Sequence, residues 1–262
     1  MDAVLLLCLA VIGAEPDVVA RGVAQNENFL VTAPTQESAK QILVAADAYR
    51  QWVAREWLDL EEAPRLPWTR IDVEFHDDVT DRARMLIIGE TERRSYRIEL
   101  CTQAKAAKHA PLRHEIVHLV LHTELGDQIP AWADEGAACI EDSPELIGTL
   151  RRTNAWYPKT GKWPKLSELL DRKRIRATDY EEYATAWSLC TYLSEQGNKQ
   201  KILRFAMSGV ADGWNTALSD HYRIGNVEEL QKRWQTWVTA STDSKDSSNT
   251  ASREARRNLN LK

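Results

Sequence analysis

Cysteines, basic blocks and long apolar runs are all scarce in this chain, and each scarcity removes a class of protein. Four cysteines in 262 residues are too few for the disulfide framework that holds small secreted scaffolds together. No pair of them has the Cys-x-x-Cys spacing of a zinc ribbon or a redox motif. The formal charge is -5 and the pI is near 5.8. With no long basic block in the body of the chain, nucleic acid is not an expected partner. No apolar run approaches the about 20 residues of a membrane-spanning helix, so no stable transmembrane segment is expected. What remains, with 43% hydrophobic residues, is a globular chain able to bury its core in one domain or two closely packed lobes.

The two ends differ in composition from the body. Ala3 to Ala14 is uncharged and finishes in small residues ahead of Glu15-Pro16, the pattern of a secretory signal cleaved near Gly13 or Ala14. Its opening holds Asp2 and no Lys or Arg, which departs from the usual basic start. Residues 1–14 are read as a signal peptide and the protein as exported, periplasmic or extracellular. Cys8 follows Leu7 where a lipid-anchored signal requires a small residue, so no lipid anchor is expected. Removal of the signal leaves Cys101, Cys139 and Cys190, enough for one internal disulfide at most. Cys139 and Cys190 stand in apolar helical patterns, where a buried, inert thiol is the expectation. Ser241 to Lys262 is polar and lacks aromatic residues. A tail over 239–262 is therefore expected to be disordered, having too little apolar surface to offset the entropy of ordering.

Between these ends the pattern predicts an α+β domain over 15–238, with a sheet-containing lobe at 15–125 and a helical lobe at 126–238. Phe29 to Thr32 reads as a short strand, and Glu37 to about Leu60 as a long helix, from the spacing of Ile42, Ala45, Tyr49, Trp52 and Val53. Pro64 and Pro67 break that pattern. Ile71, Val73 and Phe75 then alternate as a strand. Arg84 to Ile88 and Ser95 to Cys101 are two further strands, joined through the polar stretch Gly89 to Arg94 as a hairpin or irregular connection. From about Leu112 onward the chain reads almost wholly as helix. The expected fold is thus a small mixed sheet with a long helix, then a helix carrying the chemistry, then a mostly helical lobe.

That chemistry starts at His114-Glu115-Ile116-Val117-His118. Residues four apart on a helix share a face with Cβ atoms about 6 Å apart, so both imidazoles can reach one Zn²⁺ with bonds of about 2.0 to 2.1 Å. Glu115 can then reach a water in the metal's open position and act as its base. With 6 His and 39 Asp+Glu in the chain, chance supplies roughly 0.02 matches to such a pattern.

The third ligand must come from elsewhere. His122 lies eight residues beyond His114, about 12 Å along the helix axis, too far to share one ion; it is read as an ordinary polar residue or a neighbour of the ligands. Glu135 is the better candidate if the chain turns back. Gly126-Asp127 supplies a turn, Pro130 suits the first position of a new helix, and Gly136 permits close approach to the first helix. The plain alternative for Glu135 is a surface carboxylate favoured by the helix dipole.

With these residues in view, Pro130-Ala131-Trp132-Ala133-Asp134-Glu135-Gly136-Ala137-Ala138 resembles the second-helix signature of gluzincin, or peptidase MA-like, zinc metallopeptidases, and the His114 to His118 turn resembles their first. The resemblance extends loosely over residues 28 to 238, including helical patterns at Tyr183 to Leu193 and Val227 to Trp237. It implies a zincin-like fold, Zn²⁺ held by His114, His118 and Glu135, Glu115 as general base, and a peptide or protein substrate cleaved by zinc-bound water. It also implies a downstream Tyr or His that stabilises the oxyanion; Tyr183 is the choice here, with Tyr180, His221 and Tyr222 as competitors. One position departs from the pattern. The acid often found four residues beyond the glutamate ligand, supporting the first histidine, is Cys139, and Asp134, Glu141 or a backbone carbonyl would have to serve instead. A zinc-binding or scaffold protein of the same fold with impaired turnover is the alternative function. For substrate binding, Ser95 to Cys101 could present an edge to an extended peptide, although the preferred reading is an ordinary sheet strand.

Overall fold

The computed structural model describes residues 21–77, 82–90, 93–176 and 178–242. The expected signal segment and the chain beyond Thr242 lie outside these. Five strands, β1 (Gly22–Gln25), β2 (Phe29–Ala33), β3 (Thr69–Phe75), β4 (Arg82–Ile88) and β5 (Ser95–Thr102), form one mixed sheet in the order β1-β2-β3-β5-β4. The β2–β3 and β3–β5 pairs are parallel, and the outer strands β1 and β4 are antiparallel to their neighbours.

Alternation along the strands separates the two faces of the sheet. Phe29, Val31, Ile71, Val73, Ile98 and Leu100 are buried on one face. The intervening Arg70, Asp72, Arg97, Glu99 and Arg84 form a ladder of ion pairs across the other, with Arg97 to Asp72 at 2.8 Å and Arg70 to Asp72 at 2.9 Å.

The long helix α1 (Gln36–Leu58) crosses from β2 to β3 and lies on the apolar face. Thr35 caps its start by accepting from the Ser38 N–H, and Asp59 ends it in the left-handed region. Ala39, Ile42, Ala46, Val53 and Trp57 form its buried stripe. Beside it lies α2 (Ala110–Leu125), in which every residue from Glu115 to Leu121 is buried. This helix is enclosed between the sheet and the helical lobe, so it has no continuous polar face.

The helical lobe follows. It comprises α3 (Ala131–Ile140), α4 (Pro144–Asn154), the short α5 (Trp156–Thr160) and α6 (Leu166–Leu170), then α7 (Tyr180–Glu195), α8 (Lys199–Asp212), α9 (Trp214–Tyr222) and α10, described over residues 227–242. Leu230, Trp234 and Val238 of α10 are buried in the same core as the sheet residues. The boundary expected at 238 therefore falls inside a helix. Residues 239–242 continue it, anchored by Val238 in the core and by Trp237 against Tyr192 with ring centroids 5.9 Å apart.

The α+β reading holds, and the expected strands and long helix are all present. The sequence reading missed β1, a four-residue strand that leaves Val23 48% exposed. One choice is resolved and one smaller expectation needs correction. Ser95 to Cys101 is an ordinary sheet strand and presents no free edge, because β5 is paired with β3 on one side and β4 on the other; the outer strand is β4. Gly136 allows close approach, but to α7 and not to α2. A Cβ on Gly136 would lie 2.4 Å from Cys190 Sγ and 2.7 Å from the Ala186 carbonyl oxygen. Among the described residues no helix is long and apolar enough to cross a membrane.

Candidate metal centre

Two helices and one reversal build the site. Gly126 ends α2 at φ 65, a 3-10 turn over Gly126–Gln128 reverses the chain, and Pro130 caps α3, one position earlier than the first-turn place expected for it. The reversal lays α3 against α2 and brings Glu135 to the histidines. His118 Nε2 lies 3.1 Å from His114 Nε2 and 3.6 Å from Glu135 Oε2. One ligand atom from each of the three residues falls within 4.8 Å of the others. Tetrahedral zinc with bonds of 2.0 to 2.1 Å places its ligand atoms about 3.3 Å apart, so these spacings suit a shared ion.

The outer nitrogens carry the stronger argument. His118 Nδ1 faces Asp134 Oδ1 at 2.8 Å, and His114 Nδ1 faces Asp142 Oδ1 at 3.1 Å. A carboxylate only accepts, so each imidazole places an N–H on Nδ1 and faces its Nε2 inward. With both rings neutral, two lone pairs would face each other at 3.1 Å, beside Glu135 Oε2, which has no hydrogen-bond partner among the described residues. A proton shared between the two Nε2 atoms, or a metal ion in its place, relieves that repulsion.

The protonation equilibria reflect the same demand. Burial alone would lower the pKa of His118, but the Asp134 and Glu135 carboxylates outweigh it and push the value up to about 10. Burial likewise opposes charging of His114, and Asp142 reverses the balance upward. Asp134 is held well below the usual carboxylate range; burial works against this, and His118 and His122 overcome it. Glu115, 4% exposed, moves upward, chiefly through burial and against the pull of the two histidines. An upward shift makes a carboxylate a better proton acceptor.

Asp142 answers the question raised by Cys139. It was not singled out from sequence, although it lies seven residues beyond Glu135 and two helical turns would carry it to the same side. The α3 helix ends before it, and a clasp holds it in place. Arg113, the residue before His114, donates from Nε to the Glu141 carbonyl at 2.7 Å, with Nη2 on the same oxygen. Lys199 bonds Glu141 Oε1 at 2.8 Å while its ammonium sits 4.9 Å from the Trp52 ring centroid and 5.4 Å from that of Trp57. Asp134 supports His118, and the Glu141 side chain is committed to Lys199. The Cys139 thiol is buried beside Asp142, and burial raises its pKa well above the ordinary value. His114, Cys139 and Asp142 also lie within 4.8 Å of one another, with Asp142 Oδ1 already engaged by His114 Nδ1. Cys101, Cys139 and Cys190 are all free thiols.

Of the four aromatic and histidine candidates, Tyr183 is the one at the site. Its phenol is held protonated, by burial first and then by the charge of the nearby Glu135 carboxylate. Tyr180 is 60% exposed. His221 bonds Ser208 Oγ at 3.0 Å, and Tyr222 packs on Phe205 with centroids 5.4 Å apart. His122 is no ligand; its Nε2 bonds Asp134 Oδ2 at 3.1 Å.

Comparison of the chain with protein-family models, curated proteins and solved structures finds no match.

Proposed function

We propose that the chain is a zinc-dependent hydrolase of the gluzincin kind, cleaving peptide bonds. The observation that carries this is the convergence of His114 Nε2, His118 Nε2 and Glu135 Oε2, with each histidine backed by its own carboxylate. Neutral imidazoles and a carboxylate are a donor set suited to Zn²⁺. When bound, zinc supplies a Lewis acid and a water acidified toward neutral pH.

The remaining work falls to the chain. Glu115 follows His114 on α2, is buried beside both histidines, and accepts the proton of the attacking water. It then returns that proton to the leaving amine. Tyr183 keeps its phenolic proton and donates it as a hydrogen bond to the oxyanion that develops at the carbonyl. Among the described residues, β4 is the outer strand beside α2, and an extended peptide could pair with its outer edge.

Zinc content and hydrolysis of a mixed peptide library, measured for the wild type and Glu115→Gln, test the proposal. Both proteins should hold one zinc per chain, and Glu115→Gln should lose about 10²- to 10⁴-fold in rate. Absence of zinc at neutral pH would overturn the reading. Equal background hydrolysis in two zinc-loaded proteins would leave a metal-binding scaffold.

A further inference from the structure

We propose that His122 is a positioning residue of this metal centre, acting through Asp134 to fix the ring and tautomer of His118. The inference rests on the reading of His114, His118 and Glu135 as ligands. His118 and His122 are four residues apart on α2, so their rings stand on one face. Asp134 spans them, with Oδ1 at 2.8 Å from His118 Nδ1 and Oδ2 at 3.1 Å from His122 Nε2.

A carboxylate held through one oxygen can still turn about its Cβ–Cγ bond. Held through both, it fixes the plane in which it accepts from His118. Asp142, behind the other ligand histidine, stands beside the Cys139 thiol and not beside a second imidazole.

The cost of His122 points the same way. Its Nδ1 is also buried with no hydrogen-bond partner among the described residues, a penalty that a leucine would not carry. The hydrogen bond from Nε2 to Asp134 is what the imidazole provides in return. His122 thus forms the outer end of a chain running His122 to Asp134 to His118, and never touches the ion itself.

The test uses the full chain with Zn²⁺ and Co²⁺ as probes. His122→Leu and His122→Gln are made in the wild type and in Asp134→Ala. Zinc affinity is read by competition with a chromophoric chelator, coordination geometry from the visible spectrum of the cobalt-loaded protein, and folding from thermal unfolding without metal. His122→Leu should weaken zinc binding about 10-fold, the lower end of what loss of an outer hydrogen-bond partner produces, and alter the cobalt spectrum. His122→Gln, whose amide can still donate to Asp134, should restore most of both. In Asp134→Ala, adding His122→Leu should change neither.

Wild-type affinity and spectrum in His122→Leu would overturn the proposal, as would an equal loss with and without the Asp134 carboxylate. Should the leucine variant fail to fold, His122→Asn, which keeps an amide but falls short of Asp134, replaces it in the same comparison. Failure of the wild type to take up either metal would overturn the ligand assignment itself, and this proposal with it.

Discussion

Replacing Gly136 by alanine tests the contact that sets α3 against α7, and its sign can be worked out against a second glycine in the same lobe. Alanine in a helix interior is worth about 1 kcal/mol over glycine when nothing obstructs the methyl group. At Gly148 in α4 nothing does, since the nearest atom to an added Cβ is Arg152 Nη1 at 3.6 Å, an ordinary contact. At Gly136 the methyl group would meet Cys190 Sγ at 2.4 Å and the Ala186 carbonyl oxygen at 2.7 Å. The thiol can rotate, but the carbonyl belongs to the α7 backbone, so the helices must part. Overpacking of this kind costs about 1–3 kcal/mol, and an immovable obstacle places the cost toward the upper end. After the propensity gain is subtracted, Gly136→Ala should lose about 1–2 kcal/mol, whereas Gly148→Ala should gain up to about 1 kcal/mol. At about 2–4 °C per kcal/mol for a domain of this size, the two variants should melt several degrees apart in opposite directions from the wild type. Thermal or urea unfolding of the metal-free proteins measures this. Equal stability of the two variants would refute the close approach of α3 to α7. Glu135 precedes Gly136 and Tyr183 stands on α7, so Gly136→Ala should also weaken zinc binding, while Gly148→Ala should not.

Two further expectations follow from the centre. Asp142→Ala removes the carboxylate behind His114 and should weaken zinc binding by about 10- to 100-fold, whereas Glu135→Ala, which removes a ligand, should cost distinctly more; chelator competition ranks them, and the reverse order would count against Glu135. Tyr183→Phe keeps the ring and loses the donor, so zinc content and KM should stay near wild type while kcat falls about 10²- to 10³-fold. A change confined to KM in steady-state peptide hydrolysis would place Tyr183 in binding and not in stabilisation of the oxyanion.

The parts of the fold that were legible in the sequence were those governed by local spacing. The strand at Ile71 declared itself by alternation because one sheet face meets the core and the other carries the ion pairs of Arg70, Asp72, Arg97 and Glu99. Helix α1 did so by its apolar stripe. Helix α2, buried throughout from Glu115 to Leu121, offered no amphipathic rhythm, and only its chemistry marked it. What spacing could not convey was which surface meets which. Gly136 announced a close approach but not its partner, since the choice between α2 and α7 depends on how the lobe folds back. Asp142 went unnoticed because its place is set by Arg113 and Lys199, one of them remote in sequence, and not by the periodicity of α3. Strand β1 was missed for a simpler reason: four residues with Val23 half exposed give alternation too little length to register.

The clasp between Arg113 and Glu141 has a consequence for the order of assembly. Arg113 and His114 are consecutive, as are Glu141 and Asp142, so one pair of neighbours ties the backbone of α3 to α2 while the other aligns a carboxylate with an imidazole. The tie is made of protein groups alone, and the core beneath it is apolar and continuous with the sheet. If His114, His118 and Glu135 hold the proposed ion, they would stand in register before it arrives. Unlike a zinc finger, whose fold and metal form together, such a scaffold would be a waiting socket, expected to fill and empty while the chain stays folded.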